Sequence, residues 1–107
     1  MKIIYNNFLP FKGFLAMNLF GFLFARKGSY IDAVTINHEE IHTAQMKELL
    51  YIPFYIIYGV EWLVRLFQKG NSHSAYRAIS FEQEAYNNEK DMRYLEKRPF
   101  CPWLKYW

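Results

Sequence analysis

The spacing of apolar positions changes twice along this chain. Over 14–26 apolar residues crowd around Asn18 and Gly21, a Phe- and Leu-rich pattern that predicts two short strands turning near Asn18. Gly28 and Ser29 then loosen the chain. From there Val34, His38, Ile41, His42, Gln45, Met46 and Leu49 recur at intervals of three and four, so one stripe of a helix over 32–50 is predicted to face inward. Asp32, Thr35 and Asn37 are each suited to cap it. The stretch 49–67 is nearly continuous apolar sequence, with Pro53 near its first turn and Gly70 just past its end as helix start and stop. Gly70-Asn71-Ser72 is a turn and cap signal, and a long helix is expected from His73 to Lys97, ending before Pro99. The pattern therefore predicts an α+β fold, predominantly helical: about three helices with a short N-terminal β-hairpin packed beside the helix at 32–50. A length of 107 residues suits a single domain, 1–107, that buries ~65% of its unfolded surface.

Composition qualifies this picture in three ways. Hydrophobic residues make up 52% of the chain and aromatics 21%, enough for an aromatic core or an adhesive surface. The segment 49–67 is therefore either a buried core helix or a membrane-associated one. Glu61 and Arg65 inside it argue against a span, since each costs about 2.5 to 3.5 kcal/mol near a bilayer centre. Net charge is +3 with Lys and Arg scattered among acids, which excludes the basic footprint of a nucleic-acid binder. The single cysteine, Cys101, fits a reducing compartment. No export signal interrupts that reading, so a cytoplasmic location is expected, with association to the inner membrane as the alternative. The aromatic stripe Tyr51, Phe54, Tyr55, Tyr58 and Trp62 is read as packing. The aromatic tail 99–107 should dock back onto the helices or onto a second copy in a homodimer.

The chemistry is concentrated in His38-Glu39-Glu40-Ile41-His42, an H-E-x-x-H sequence within the predicted helix. Residues four apart leave the same helical face, so both imidazoles can grip one metal ion while Glu39 lies beside it. Shuffling this composition produces the pattern in roughly 0.4% of chains, so chance is a poor account of it. Zinc accepts nitrogen and carboxylate ligands, and three protein ligands leave a position for water, which the metal acidifies. The third ligand is expected on the helix at 73–97, where two acids compete. Glu82 is flanked at helical spacing by Ala78, Ile79, Ala85 and Tyr86, an apolar stripe; Glu84 is flanked by Ser80, Phe81, Asn87 and Asn88 and reads as the wetter side. A buried acid needs a compensating cation. Glu82 is thus the expected ligand and Glu84 the runner-up, with pairing of Glu82 to Arg65 or Arg77 as the plain alternative.

The motif pair Asn37–His42 and Phe81–Tyr86 resembles the gluzincin arrangement, in which H-E-x-x-H is completed by a glutamate on a later helix. It is most similar to the CAAX-prenyl-processing and heat-shock metallopeptidases, whose second helix reads E-x-x-A-D. Glu82 and Ala85 match that pattern, and Tyr86 stands where it has aspartate. His42 and Gln45, as H-x-x-Q, also resemble small uncharacterised bacterial metallopeptidase-like domains. The resemblance implies a zinc peptidase acting on a peptide or protein, with Glu39 taking a proton from metal-bound water and passing it to the leaving amine. It also implies that something other than aspartate orients the histidines, for which Gln45 and Glu89 are candidates. His73, Tyr76 and Tyr86 are the candidate oxyanion donors. A non-catalytic module using the same ligands for a structural metal, or binding a partner or membrane, is the alternative.

Overall fold

The computed structural model describes residues 2–7 and 16–107; Phe14 and Leu15 of the expected hairpin lie outside them. Strands β2 (Ala16–Leu19) and β3 (Phe22–Arg26) pair antiparallel. The reversal falls two residues later than expected, at Phe20 and Gly21, both with positive φ. A two-residue hairpin loop of this hand needs left-handed backbone at both positions, and glycine at the second supplies it without a Cβ clash. Asn18 shapes the turn from the strand, its Oδ1 accepting from Gly21 N at 3.1 Å. A strand that the pattern did not predict, β1 (Ile3–Asn6), lies parallel to β3 and gives the order β1-β3-β2. Four residues are too few to display a period. The central strand β3 buries Leu23 and Ala25 against Ile31, with Ile3, Ala16 and Ile36 around them.

Helix α1 (Ala33–Glu48) starts from Asp32, whose side chain accepts from Thr35 N at 2.7 Å. Its end is abrupt. Leu50 (φ 58°) and Tyr51 (φ 68°) are both left-handed, and Ile52 N reaches back to Leu50 O at 2.9 Å, a tight γ-turn that costs backbone strain. Helix α2 (Ile52–Lys69) leaves this corner at 111° to α1. No single helix among the described residues is long and apolar enough to cross a membrane.

The long helix expected over 73–97 is broken into α3 (Ser72–Ala78), α4 (Ser80–Asn88) and α5 (Tyr94–Lys97), so among the described residues five α-helices stand where about three were expected. The first break has a clear cause. Ile79 is extended (φ −58°, ψ 134°), and the buried carboxylate of Glu61 accepts from Ser80 N at 2.8 Å and from Ser80 Oγ at 2.6 Å. A neighbouring helix therefore supplies the acceptor that a cap residue normally provides. Arg65 completes the cluster, donating to Glu61 Oε2 at 3.2 Å and to Tyr106 O at 3.2 Å. The tail forms a 3-10 turn (Pro102–Tyr106) that docks back on the helices, burying Trp103 edge-on to Phe81 at 4.8 Å. The main core, Met46, Phe54, Ile79, Phe81 and Trp103, thus joins α1, α2, α4 and the tail. The fold is α+β and predominantly helical, and α1 and α4 are held face to face.

Candidate metal centre

His38 and His42 leave the inward face of α1 one turn apart, and both are buried. Their Nε2 atoms are 3.1 Å apart, and Glu82 Oε1, arriving from α4, is 3.1 Å from each. These three atoms form a nearly equilateral triangle of acceptors. Tetrahedral zinc with ligand bonds of about 2.0 to 2.1 Å sets its ligand atoms about 3.3 Å apart, so the triangle fits a small divalent cation to a few tenths of an ångström. An oxygen of Glu39 also comes within 4.8 Å of ligating atoms of the two histidines, but Glu82 is nearer. The donor set of two imidazoles and a carboxylate admits zinc and equally other first-row divalent ions.

Each ligand is oriented from behind. His38 Nδ1 faces Glu89 Oε2 at 3.3 Å, and Asn37 fixes that end of α4 by donating to Glu89 O at 2.7 Å and Asp91 O at 3.1 Å. His42 Nδ1 faces Gln45 Oε1 at 2.7 Å. The other oxygen of Glu82, Oε2, accepts from the Tyr58 hydroxyl at 2.6 Å. Glu82 pairs with neither Arg65, which serves Glu61, nor Arg77, which stacks over the Tyr86 ring at 3.6 Å. Glu84 corrects the reading of a wetter side: it is fully buried, because Arg98, Tyr94 and Gln45 converge on its oxygens. A polar neighbourhood in sequence marked a buried network instead of solvent.

The electrostatics follow from these contacts. Burial opposes charging of His42, but the Glu82 carboxylate beside it outweighs burial and pushes the imidazole up to about 10. Burial likewise works against ionisation of Glu82, yet the charge of His42 and hydrogen bonds from His38, His42 and Tyr58 hold the carboxyl well below its ordinary range. Three acceptors this close need a proton or a cation between them. Glu39 goes the other way: burial raises its carboxyl, against the pull of His42 and His38. Its Oε2 is buried with no hydrogen-bond partner among the described residues. Burial and the nearby Glu82 push Tyr58 and Tyr76 far above the ordinary phenol range, so both remain neutral donors.

Glu39, His42 and Glu82 open onto a cavity of about 830 Å³ between β2, α1, α2 and α3, with His73 and Tyr76 also on its wall. Tyr86 packs edge-on to His38 at 4.5 Å and shares a hydrogen bond of 2.8 Å with Tyr76. The aromatic stripe of α2 is more than packing: Tyr55, Tyr58 and Trp62 line the cavity. From the sequence Tyr58 reads only as packing and Asn37 only as a helix cap and motif neighbour, whereas Asp32 is the cap and the Tyr58 and Asn37 side chains both support the site. Asn37 stands immediately before the motif, the one cue that was available; the hydroxyl of Tyr58 gave none beyond its place in the stripe. No protein-family model, curated protein or solved structure matches the chain.

Proposed function

We propose that this protein is a metal-dependent hydrolase, using zinc or a like divalent ion, that cleaves peptide bonds in a peptide or protein substrate. His38, His42 and Glu82 would hold the ion, and Glu39 would act as general base. One observation carries the reading: three candidate ligand atoms meet at 3.1 Å beside a buried carboxylate oxygen that has no partner among the described residues. Buried acceptors are normally partnered, so this oxygen, on a residue of the cavity wall, is free to take a proton from water. An ion held there supplies Lewis acidity, acidifying water and polarising a carbonyl. Glu39 then removes the proton from the attacking water and returns it to the departing amine. Burial raises its affinity for protons, the direction a proton-accepting carboxylate needs. Tyr76 and His73, both on the cavity wall, are the candidates to steady an oxyanion, and the Tyr76 hydroxyl shares a hydrogen bond with Tyr86.

The likeness to gluzincins supports the same assignment, as does the ligand count, because structural zinc normally takes four protein ligands. The lone Cys101 supports a reducing compartment, the cytoplasm. A second reading, a non-catalytic module that docks on a partner or membrane, is favoured by the exposed apolar residues of α2.

The test is purification, zinc counting and digestion of an unstructured protein by the native chain, Glu39→Gln and His42→Ala. Glu39→Gln should keep zinc and lose cleavage by about 10²- to 10⁴-fold, whereas His42→Ala should lose both. Zinc bound stoichiometrically with no turnover by the native chain would end the hydrolase reading and leave the second.

A further inference from the structure

We infer that Gln45, Glu84 and Arg98 form a positioning relay that fixes the tautomer of His42, so that the last metal-facing imidazole is set from the C-terminal segment. The inference rests on the metal-binding part of the reading above and adds to it a role for residues that touch no ligand atom. Its core is donor counting. Gln45 Nε2 has two hydrogens, and two pure acceptors claim them: Phe81 O at 3.0 Å and Glu84 Oε1 at 3.0 Å. The amide cannot flip without facing its oxygen toward both, so Gln45 Oε1 is committed to His42 Nδ1 at 2.7 Å. Nδ1 must carry the proton. The lone pair of a neutral His42 is then on Nε2, the atom that meets His38 and Glu82.

Glu84 can hold this amide only while its own charge is balanced. Arg98 supplies the balance, Nε to Oε2 at 2.6 Å and Nη2 to Oε1 at 3.2 Å, and Tyr94 adds a hydroxyl at 2.8 Å. The same guanidinium makes a bidentate pair with Glu48 at 2.9 and 2.8 Å. One cation therefore bridges the end of α1 to α4, the two ligand-bearing helices. All these groups are buried or nearly so, where a fully partnered network holds a single geometry.

The two carboxylates on Arg98 separate positioning from support. Glu48→Gln weakens the clamp on its far side; Glu84→Gln weakens it on the side that reaches His42. Zinc affinity by chelator competition and unfolding of the metal-free protein are measured for each. Glu84→Gln should weaken zinc by about 10- to 100-fold, and Glu48→Gln, though destabilised, should stay within about threefold of native by the same principle of orienting contacts. Native affinity in Glu84→Gln, or an equal loss in Glu48→Gln, would overturn the relay. Should Glu84→Gln fail to fold, long-range ¹H–¹⁵N correlation on zinc-loaded native protein decides: a slowly exchanging proton on His42 Nδ1 supports it, and ligation through Nδ1 overturns it. Failure of the relay alone leaves native zinc binding and cleavage intact. Zinc binding without cleavage ends only the hydrolase, and a native chain that binds no zinc ends both.

Discussion

Helices α1 and α2 meet at one corner and differ in what they bury and what they expose. Helix α1 turns Asn37, His38, His42 and Gln45 inward beside Ile41 and Met46, whereas α2 fully buries only Phe54 and Glu61, packs Tyr55, Ile57, Tyr58 and Trp62 part-buried on the core, and leaves Ile52, Ile56, Val60, Leu63, Val64 and Phe67 in the open. An ordinary amphipathic helix would carry fewer polar groups on its inward face than α1 and fewer apolar ones on its outward face than α2. The difference teaches where the stability of this domain resides. On α1 it comes from Ile41 and Met46 together with polar groups that satisfy one another, and on α2 from Phe54, the part-buried Tyr55, Ile57, Tyr58 and Trp62 packed against the main core, and one capping carboxylate, while a second apolar stripe stays in the open.

The largest effect should follow from breaking the α1 side. Glu82→Ala leaves two buried imidazoles and the Tyr58 hydroxyl without their common acceptor, and removal of one partner from a buried charged pair costs about 3 to 5 kcal/mol. Chemical denaturation of the metal-free protein measures it. Zinc at a hundred times its dissociation constant should stabilise the native chain by about 2.7 kcal/mol and leave Glu82→Ala unmoved. A loss below about 1 kcal/mol would mean that the polar face is not what holds α1, since surface changes stay within that range.

How much of this was legible in the sequence divides along the same line. The α1 face was readable because H-E-x-x-H and the stripe through Gln45 and Met46 share one period. The start of α2 and its Gly70 stop were readable from proline and glycine chemistry, and Asn71 does cap α3 through Ser74 N at 2.8 Å. The break at Ile79 was not, because its cause is Glu61, nineteen residues before the Ser80 that it caps. Burial of Glu84 was hidden for the same reason: Arg98 and Tyr94, which neutralise and bind it, approach from beyond its own helix. Local spacing reports faces; it does not report which distant charge will come to meet them.

A smaller effect should separate the two arms by pH. Burial raises the Glu48 carboxyl, but hydrogen bonds from Arg98 and Cys101 N outweigh it and leave the group below its ordinary value of 4.5. A carboxyl depressed by folding contributes stability that is present above its unfolded value and is lost as pH falls through the folded one. Glu48→Gln should therefore be less stable than native at pH 7 and lose less on acidification below about pH 5. Glu82 has the same sign, so the variant keeps a residual acid limb. Parallel stability curves for native and variant would show that Glu48 does not contribute through its charge.

The smallest effect on folding, and the sharpest on the comparison, belongs to α2. Ile56 and Val60 are 60% and 54% exposed, four residues apart on the open face, so Ile56→Lys with Val60→Glu should change stability by no more than about 0.5 kcal/mol per site. The opposite holds across the corner, where Ile41 is fully buried and a charge would be unsustainable. What the double substitution should change is adhesion. An uncovered apolar stripe promotes association with itself, detergent or lipid, and the variant should sediment as a monomer at concentrations where the native chain does not, and release any vesicle binding the native chain shows. If the pair instead destabilises the domain by 2 kcal/mol or more, the face is packed in solution, and α2 is an ordinary core helix after all.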